Sequence, residues 1–224
     1  MHRSDTLWKC TPKYNQWMST ALIYCGTSEG FVIGADGRAF NKLTRQIQSD
    51  AERKIFAFQN RAASIVFAWA GVVKTRVLQS DFSLIEETYN LLPQLNFEGS
   101  FAEDLNAKLK NSLRILGAND CGKCATGIFL SFKKGVPWVS ELSVFKNGRT
   151  WDCCVGEGEA NGEIDILSGP SKEFKHPNSM RDAENEIKSY LDDCVSHPTE
   201  EIGGHVHIAK FTHEGFSWIQ TPIQ

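Results

Sequence analysis

Residues 20–39 read Thr20-Ala-Leu-Ile-Tyr-Cys25-Gly-Thr-Ser-Glu-Gly30-Phe-Val-Ile-Gly-Ala35-Asp36-Gly-Arg38-Ala39. Two apolar runs, 20–25 and 31–35, flank a short turn of glycine and polar residues, which predicts a β-hairpin. Lys54-Ile-Phe-Ala-Phe58 and Ser64-Ile-Val-Phe-Ala-Trp69 predict a second pair of strands, joined by polar Gln59-Asn60-Arg61. Downstream the period changes. Residues 72–92 place apolar side chains at loosely helical intervals and end at Pro93. Ser100-Phe-Ala-Glu103 has the form of a capping box, and Phe101, Leu105, Leu109, Leu113 and Leu116 then recur every three or four residues up to Gly117. Strands are predicted again at 125–132, 138–145 and 150–155, a helix at 179–195, and a closing hairpin at 205–212 and 215–219. The glycine- and acid-rich stretch 156–169 fits neither period. Runs of strands separated by runs of helices predict one α+β domain.

The rest of the composition narrows the function. The chain has 224 residues, 24 basic against 27 acidic, a net charge of −3. That balance argues against nucleic-acid binding, which draws on a basic excess. A mean hydropathy of −0.31 and the lack of any long apolar run exclude a membrane-spanning helix and predict a soluble core-bearing protein. Residues 1–19 are polar, carry Trp8, Tyr14 and Trp17, and show no apolar signal-peptide core. They read as a leader or propeptide-like extension ahead of a domain spanning 20–224, in a cytoplasmic protein. Nucleotide-binding glycine loops, metalloprotease and serine-elbow motifs are all missing, so no cofactor is expected.

Seven cysteines suit a reducing compartment. Cys121 and Cys124 with Cys153 and Cys154 could supply four zinc ligands. Adjacent cysteines on one strand point to opposite faces, however, so free thiols are the preferred reading and no metal is expected. His205 and His207 fall on one face of a strand-like run with no third ligand evident, and read as satisfied or solvated histidines.

The opening hairpin also resembles the start of proteasome β-type subunits and of the related bacterial peptidase of the two-component ATP-dependent protease. Their mature chains begin with threonine, with glycine ten and aspartate sixteen residues later; from Thr20 these offsets reach Gly30 and Asp36. Glu52-Arg-Lys54-Ile-Phe56 is similar to the family's lysine-bearing strand, and Phe67-Ala-Trp-Ala-Gly71 to the strand end whose glycine supplies an oxyanion N–H. Ile202-Gly203-Gly204-His-Val-His-Ile-Ala-Lys210 is similar to the closing strand. The resemblance implies an N-terminal-nucleophile hydrolase fold, a four-layer α-β-β-α sandwich of two antiparallel sheets.

It also implies a mechanism. A threonine hydroxyl needs an adjacent base, which a mature α-amine with a reference pKa near 8 supplies. Thr20 is then the nucleophile, Lys54 the activating cation, Asp36 its orienting partner and Gly71 N–H the oxyanion donor. The sequence departs from the family at Ser19, where active members carry glycine before the threonine, and in the spacing of Lys54, which falls two residues late. Gly156-Glu157-Gly158 stands for a Gly-Ser-Gly turn, and Thr199 and Ile202 stand for an aspartate and a serine ahead of the Gly-Gly pair.

Two functions follow. One is a threonine-type peptidase whose nucleophile is freed by leader removal, acting on peptides or unfolded protein. It would assemble into a ring with itself or related subunits and could be served by an ATP-dependent unfoldase. The other is a catalytically silent scaffold subunit with an unprocessed leader. The enzyme is favoured because a silent subunit has no need of Thr20, Asp36 and Lys54 together.

Overall fold

A computed structural model describes residues 20–41, 44–61, 63–71, 74–77, 80–97, 101–115, 125–147 and 150–221. The leader proposed at 1–19, the capping Ser100, and Cys121 and Cys124 lie outside these residues. The architecture is α+β, with two five-stranded antiparallel sheets and three helices. In the first sheet the order is β12 (Ile164–Ser168), β1 (Leu22–Thr27), β2 (Gly30–Asp36), β13 (Val206–Thr212), β14 (Gly215–Gln220). In the second it is β11 (Thr150–Glu159), β10 (Val136–Asn147), β9 (Ala125–Lys133), β6 (Ser64–Gly71), β5 (Ile55–Gln59). Two small hairpins, β3 (Ala39–Asn41) with β4 (Gln46–Ser49) and β7 (Lys74–Val77) with β8 (Ser80–Ser83), stand outside both sheets.

The opening hairpin pairs from Leu22 opposite Ala35 to Thr27 opposite Gly30. Alternation along its strands sorts the core. Leu22, Tyr24, Phe31, Ile33 and Ala35 meet Ile55, Val66, Ala68, Ala70, Ile128 and Leu130 of the other sheet, with Ala209 and Phe211 from β13. One polar bridge crosses this apolar layer, the Tyr24 hydroxyl donating to Glu141 Oε1 at 2.9 Å. Ala21, Ile23, Cys25, Val32, Val206 and Ile208 face the opposite way, onto helix α3 (Met180–Ser196) through Ala183, Ile187, Tyr190, Leu191 and Cys194. Gly34 allows α3 to lie close: a Cβ there would stand 2.5 Å from Leu191 Cδ1 and 2.8 Å from Ile187 Cγ2. The second sheet turns Phe67, Trp69, Phe129, Leu142 and Val144 toward α1 (Leu84–Leu91) and α2 (Phe101–Ile115), where Leu84, Leu105 and Leu109 are buried.

Two sequence expectations are corrected. The helix predicted over 72–92 is helical only from Leu84; 74–77 and 80–83 pair as a hairpin. The start signal is Ser83, whose hydroxyl accepts from Glu86 N–H in a Ser-x-x-Glu cap, and the loose apolar spacing upstream of it was compatible with either period. The unassigned stretch 156–169 contains the end of β11 and the whole of β12, which pairs with β1. No helix among the described residues is long and apolar enough to cross a membrane.

Candidate active site

The first sheet ends where three candidate side chains meet. Asp36 is the last residue of β2, Lys54 directly precedes β5, and Thr20 lies two residues before β1. Lys54 Nζ donates to Asp36 Oδ1 at 2.7 Å and to Thr20 Oγ1 at 3.1 Å. All three residues are buried, with 4% of Thr20, none of Asp36 and 7% of Lys54 exposed. The Asp36 carboxylate is held from several sides. Its Oδ1 also accepts from Ala21 N–H at 2.9 Å, and its Oδ2 accepts from Gly203 N–H at 3.0 Å and Arg38 N–H at 3.3 Å. A buried carboxylate with this many donors has one orientation, and it fixes the ammonium beside it.

Burial pulls the Lys54 ammonium below the ordinary lysine range, although the charge of Asp36 and its hydrogen bond oppose the shift. Lowered in this way, the ammonium gives up a proton more readily than that of a solvated lysine.

β13 supplies the far wall. Gly203 and Gly204 lead into it, with φ of +155° and +76°. The φ of Gly203 is one that side chains rarely adopt, which favours glycine where the backbone donates to Asp36, and a Cβ there would also come within 2.7 Å of the Arg38 guanidinium carbon. The turn ahead of it is braced by Thr199, whose hydroxyl accepts from Ile202 N–H at 2.9 Å and Glu201 N–H at 3.2 Å. Arg38 Nε pairs with Asp50 at 2.7 Å, and Asp50 O accepts from His205 N–H at 2.7 Å. Thr199 and Ile202 thus serve the turn and the core beneath α3.

Gly71 ends β6 with φ of +94°. Ile55 pairs with Ala68, so this end of β6 runs alongside the start of β5 where Lys54 stands.

Sequence reasoning missed a serine. The Ser168 hydroxyl donates to the Thr20 carbonyl oxygen, and Ser168 is followed by Gly169 at the end of β12. The matching of Gly156-Glu157-Gly158 to a Gly-Ser-Gly turn is corrected accordingly. Glu157 lies within β11 opposite Ser140, and its Oε1 accepts from Ala102 N–H at the start of α2. The missed signal was Leu167-Ser168-Gly169-Pro170, which opens the approach to α3; Tyr190 of α3 donates to Pro170 O at 2.9 Å and holds that turn.

Solved structures that share this fold include two Anbu proteins. A Gly-1 mutant of Anbu from Hyphomicrobium sp. strain MC1 matches with a TM-score of 0.61 at 14% identity, over 90% of this chain and 85% of that one. Anbu (ancestral beta-subunit) from Yersinia bercovieri matches with a TM-score of 0.55 at 14% identity, over 89% and 87%. No family model matches the chain, and no curated protein does. These findings correct the sequence resemblance to proteasome β-type subunits and the bacterial two-component peptidase. The structural neighbours are Anbu proteins, and at 14% identity the likeness is one of fold.

The remaining candidates divide. Cys25 and Cys194 are buried free thiols, and burial pushes the Cys25 thiol up to about 12, which makes it a poor nucleophile. Cys153 and Cys154 are neighbours in β11. Among the described residues no three His, Cys, Asp or Glu side chains are grouped to hold a metal. His205 has a ring nitrogen 3.2 Å from Thr221 O. His207, expected to be satisfied or solvated, is neither: it is fully buried and both its ring nitrogens are unpartnered.

Proposed function

We propose that the chain is a threonine-type amide hydrolase with Thr20 Oγ1 as nucleophile, Lys54 as activating cation, Asp36 as its orienting partner and Gly71 N–H as oxyanion donor. The observation that carries this reading is Lys54 Nζ shared between Thr20 Oγ1 at 3.1 Å and Asp36 Oδ1 at 2.7 Å in a buried site. Cleavage between Ser19 and Thr20 frees the α-amine. Thr20 Oγ1 attacks the Ser19 carbonyl carbon, the amide rearranges to an ester, and water splits the ester to leave a Ser19 carboxylate and a Thr20 amine.

Turnover repeats the chemistry on a peptide. Oγ1 bonds to the scissile carbonyl carbon, its proton passes to the Thr20 amine, and Lys54 N–H steadies the developing alkoxide. An N–H aimed at the carbonyl oxygen contributes about 3 kcal/mol to this step. The C–N bond breaks as the amine hands its proton to the leaving group. Water then hydrolyses the ester on Oγ1, releasing a carboxylic acid and restoring the hydroxyl.

The wider reading has three parts. The domain is residues 20–224, preceded by a removable leader at 1–19. The three hydrophobic cores support the four-layer α-β-β-α order, with α3 on one sheet and α1 and α2 on the other. One structural neighbour is named an ancestral beta-subunit, which supports self-assembly as a subunit. The reading extends to a cytoplasmic protein acting on peptides or unfolded protein, with an ATP-dependent unfoldase as a further partner. Hydrolysis of fluorogenic peptides by the wild type and by Thr20→Ala tests the assignment. Activity falls to background in the variant; activity retained there contradicts it.

A further inference from the structure

His207 has no exposed surface, and neither ring nitrogen has a hydrogen-bond partner. Buried polar atoms in folded proteins are nearly always paired with protein or with an ordered water, so an imidazole orphaned at both nitrogens marks a place where something polar is held. Its position is set by β13. Val206 pairs with Asp36 and His207 with Ala35, one residue from the carboxylate that orients Lys54. Alternation puts His207 on the same face as Ala209 and Phe211, toward the second sheet and the start of β5. The titratable and charged groups that act on the ring are His205, Lys54 and Arg53. His205 lies with its ring centroid 5.6 Å away, and Arg53 is turned over the Phe56 and Trp218 rings at 5.2 and 5.4 Å. Burial, reinforced by the groups beside the ring, keeps the imidazole neutral, and a neutral imidazole has one nitrogen free to accept.

Lys54 has the matching donor. An ammonium has three protons; one goes to Asp36 and one to Thr20.

We propose that His207 is a positioning residue of the threonine site: its neutral imidazole accepts the third Lys54 N–H through one bound water and so aims the ammonium at Thr20 Oγ1. The bridge completes the lysine's hydrogen bonds and gives one His207 nitrogen its partner. The role in turnover rests on the threonine-nucleophile reading, whereas the bridge itself does not depend on it.

The test is a lysine titration followed by carbon-13 NMR on the full chain, with the Lys54 signal assigned by Lys54→Arg. His207→Leu removes the acceptor, so the charged lysine loses support and its midpoint moves to lower pH. His207→Gln keeps an amide oxygen and brings the midpoint back toward wild type. In peptide hydrolysis His207→Leu lowers kcat about tenfold with KM unchanged, the worth of one hydrogen bond to a charged group, and His207→Gln recovers most of it. A Lys54 midpoint that is the same in wild type and His207→Leu overturns the bridge, with or without turnover. Should the leucine variant not fold, nitrogen-15 spectra of the His207 ring in wild type and Lys54→Arg decide instead. A shift of the accepting nitrogen supports the bridge and an unchanged ring overturns it. Hydrolysis absent from every variant, with the lysine shift present, rejects the enzyme reading and leaves the His207 assignment standing.

Discussion

The Ser168 hydroxyl donates to the carbonyl oxygen of Thr20, 148 residues earlier in the chain. β12 and β1 are antiparallel neighbours, with Leu22 opposite Ser168, so the contact follows from the register of the sheet. It holds the backbone of the residue that carries the proposed nucleophile, while Lys54 holds its side chain. Ser168→Ala removes a buried hydrogen bond and costs about 1 kcal/mol. Urea unfolding of the variant reads this loss, and peptide hydrolysis falls with it because Thr20 is less firmly placed.

Lys54→Met separates ion-pair stability from turnover. Asp36 has no exposed surface and keeps its three backbone donors when the ammonium is removed. A buried charge stripped of its partner costs about 3–5 kcal/mol. The expected outcome is a chain that unfolds at clearly lower urea concentration and hydrolyses nothing. Adding Asp36→Asn to Lys54→Met removes the uncompensated charge and restores part of the stability, while hydrolysis stays absent.

Glu141 reports on the layer between the sheets. Burial raises the pKa of its carboxyl, and the charge of Asp165 adds to the shift. A carboxyl raised in the folded state favours folding below the unfolded carboxylate range and loses that contribution as pH rises through its folded pKa. Glu141→Gln therefore melts higher than wild type at pH 8 and shows little difference at pH 4, as thermal scans at the two values measure.

The sign is opposite for His207. Desolvation and the positive charges of His205, Lys54 and Arg53 lower it from 6.5 to about 4. The unfolded chain therefore binds a proton that the folded chain refuses, and wild-type stability falls as pH drops from about 6.5 toward 4. His207→Leu removes this component, so its stability declines less across the same window. Equal pH slopes for the two proteins would show that His207 titrates as it does in the unfolded chain.

The three residues that meet at the site were visible in the sequence because two of them flank one hairpin and the third directly precedes a clearly apolar strand, β5. Their spacing carries the pattern without any need of the fold. Ser168 was not visible in this way. Its partner lies 148 residues away, and a competing Gly-x-Gly at 156–158 drew the alignment to β11, where Glu157 caps the start of α2 instead. The hairpin at 74–83 was hidden by weak apolar periodicity, with Ser83-Leu-Ile-Glu86 as the local signal that dates the helix start. For His207 the sequence indicated the face of a strand but could not indicate hydrogen-bond partners, since these depend on Lys54 and on the neighbouring sheet. The apolar runs of β1, β2, β6 and β13 were legible because each sheet is buried on both faces, against the other sheet and against helices.

The central claim is that Thr20 becomes a terminal nucleophile. Intact mass and N-terminal sequencing of the purified chain, before and after incubation with a peptidyl β-lactone that acylates hydroxyl nucleophiles, test it most directly. The account predicts a chain that begins at Thr20 and gains one acyl group on its Oγ1, with no adduct on Thr20→Ala. A full-length chain still carrying residues 1–19, with no adduct and no hydrolysis, would contradict it and identify a silent scaffold subunit.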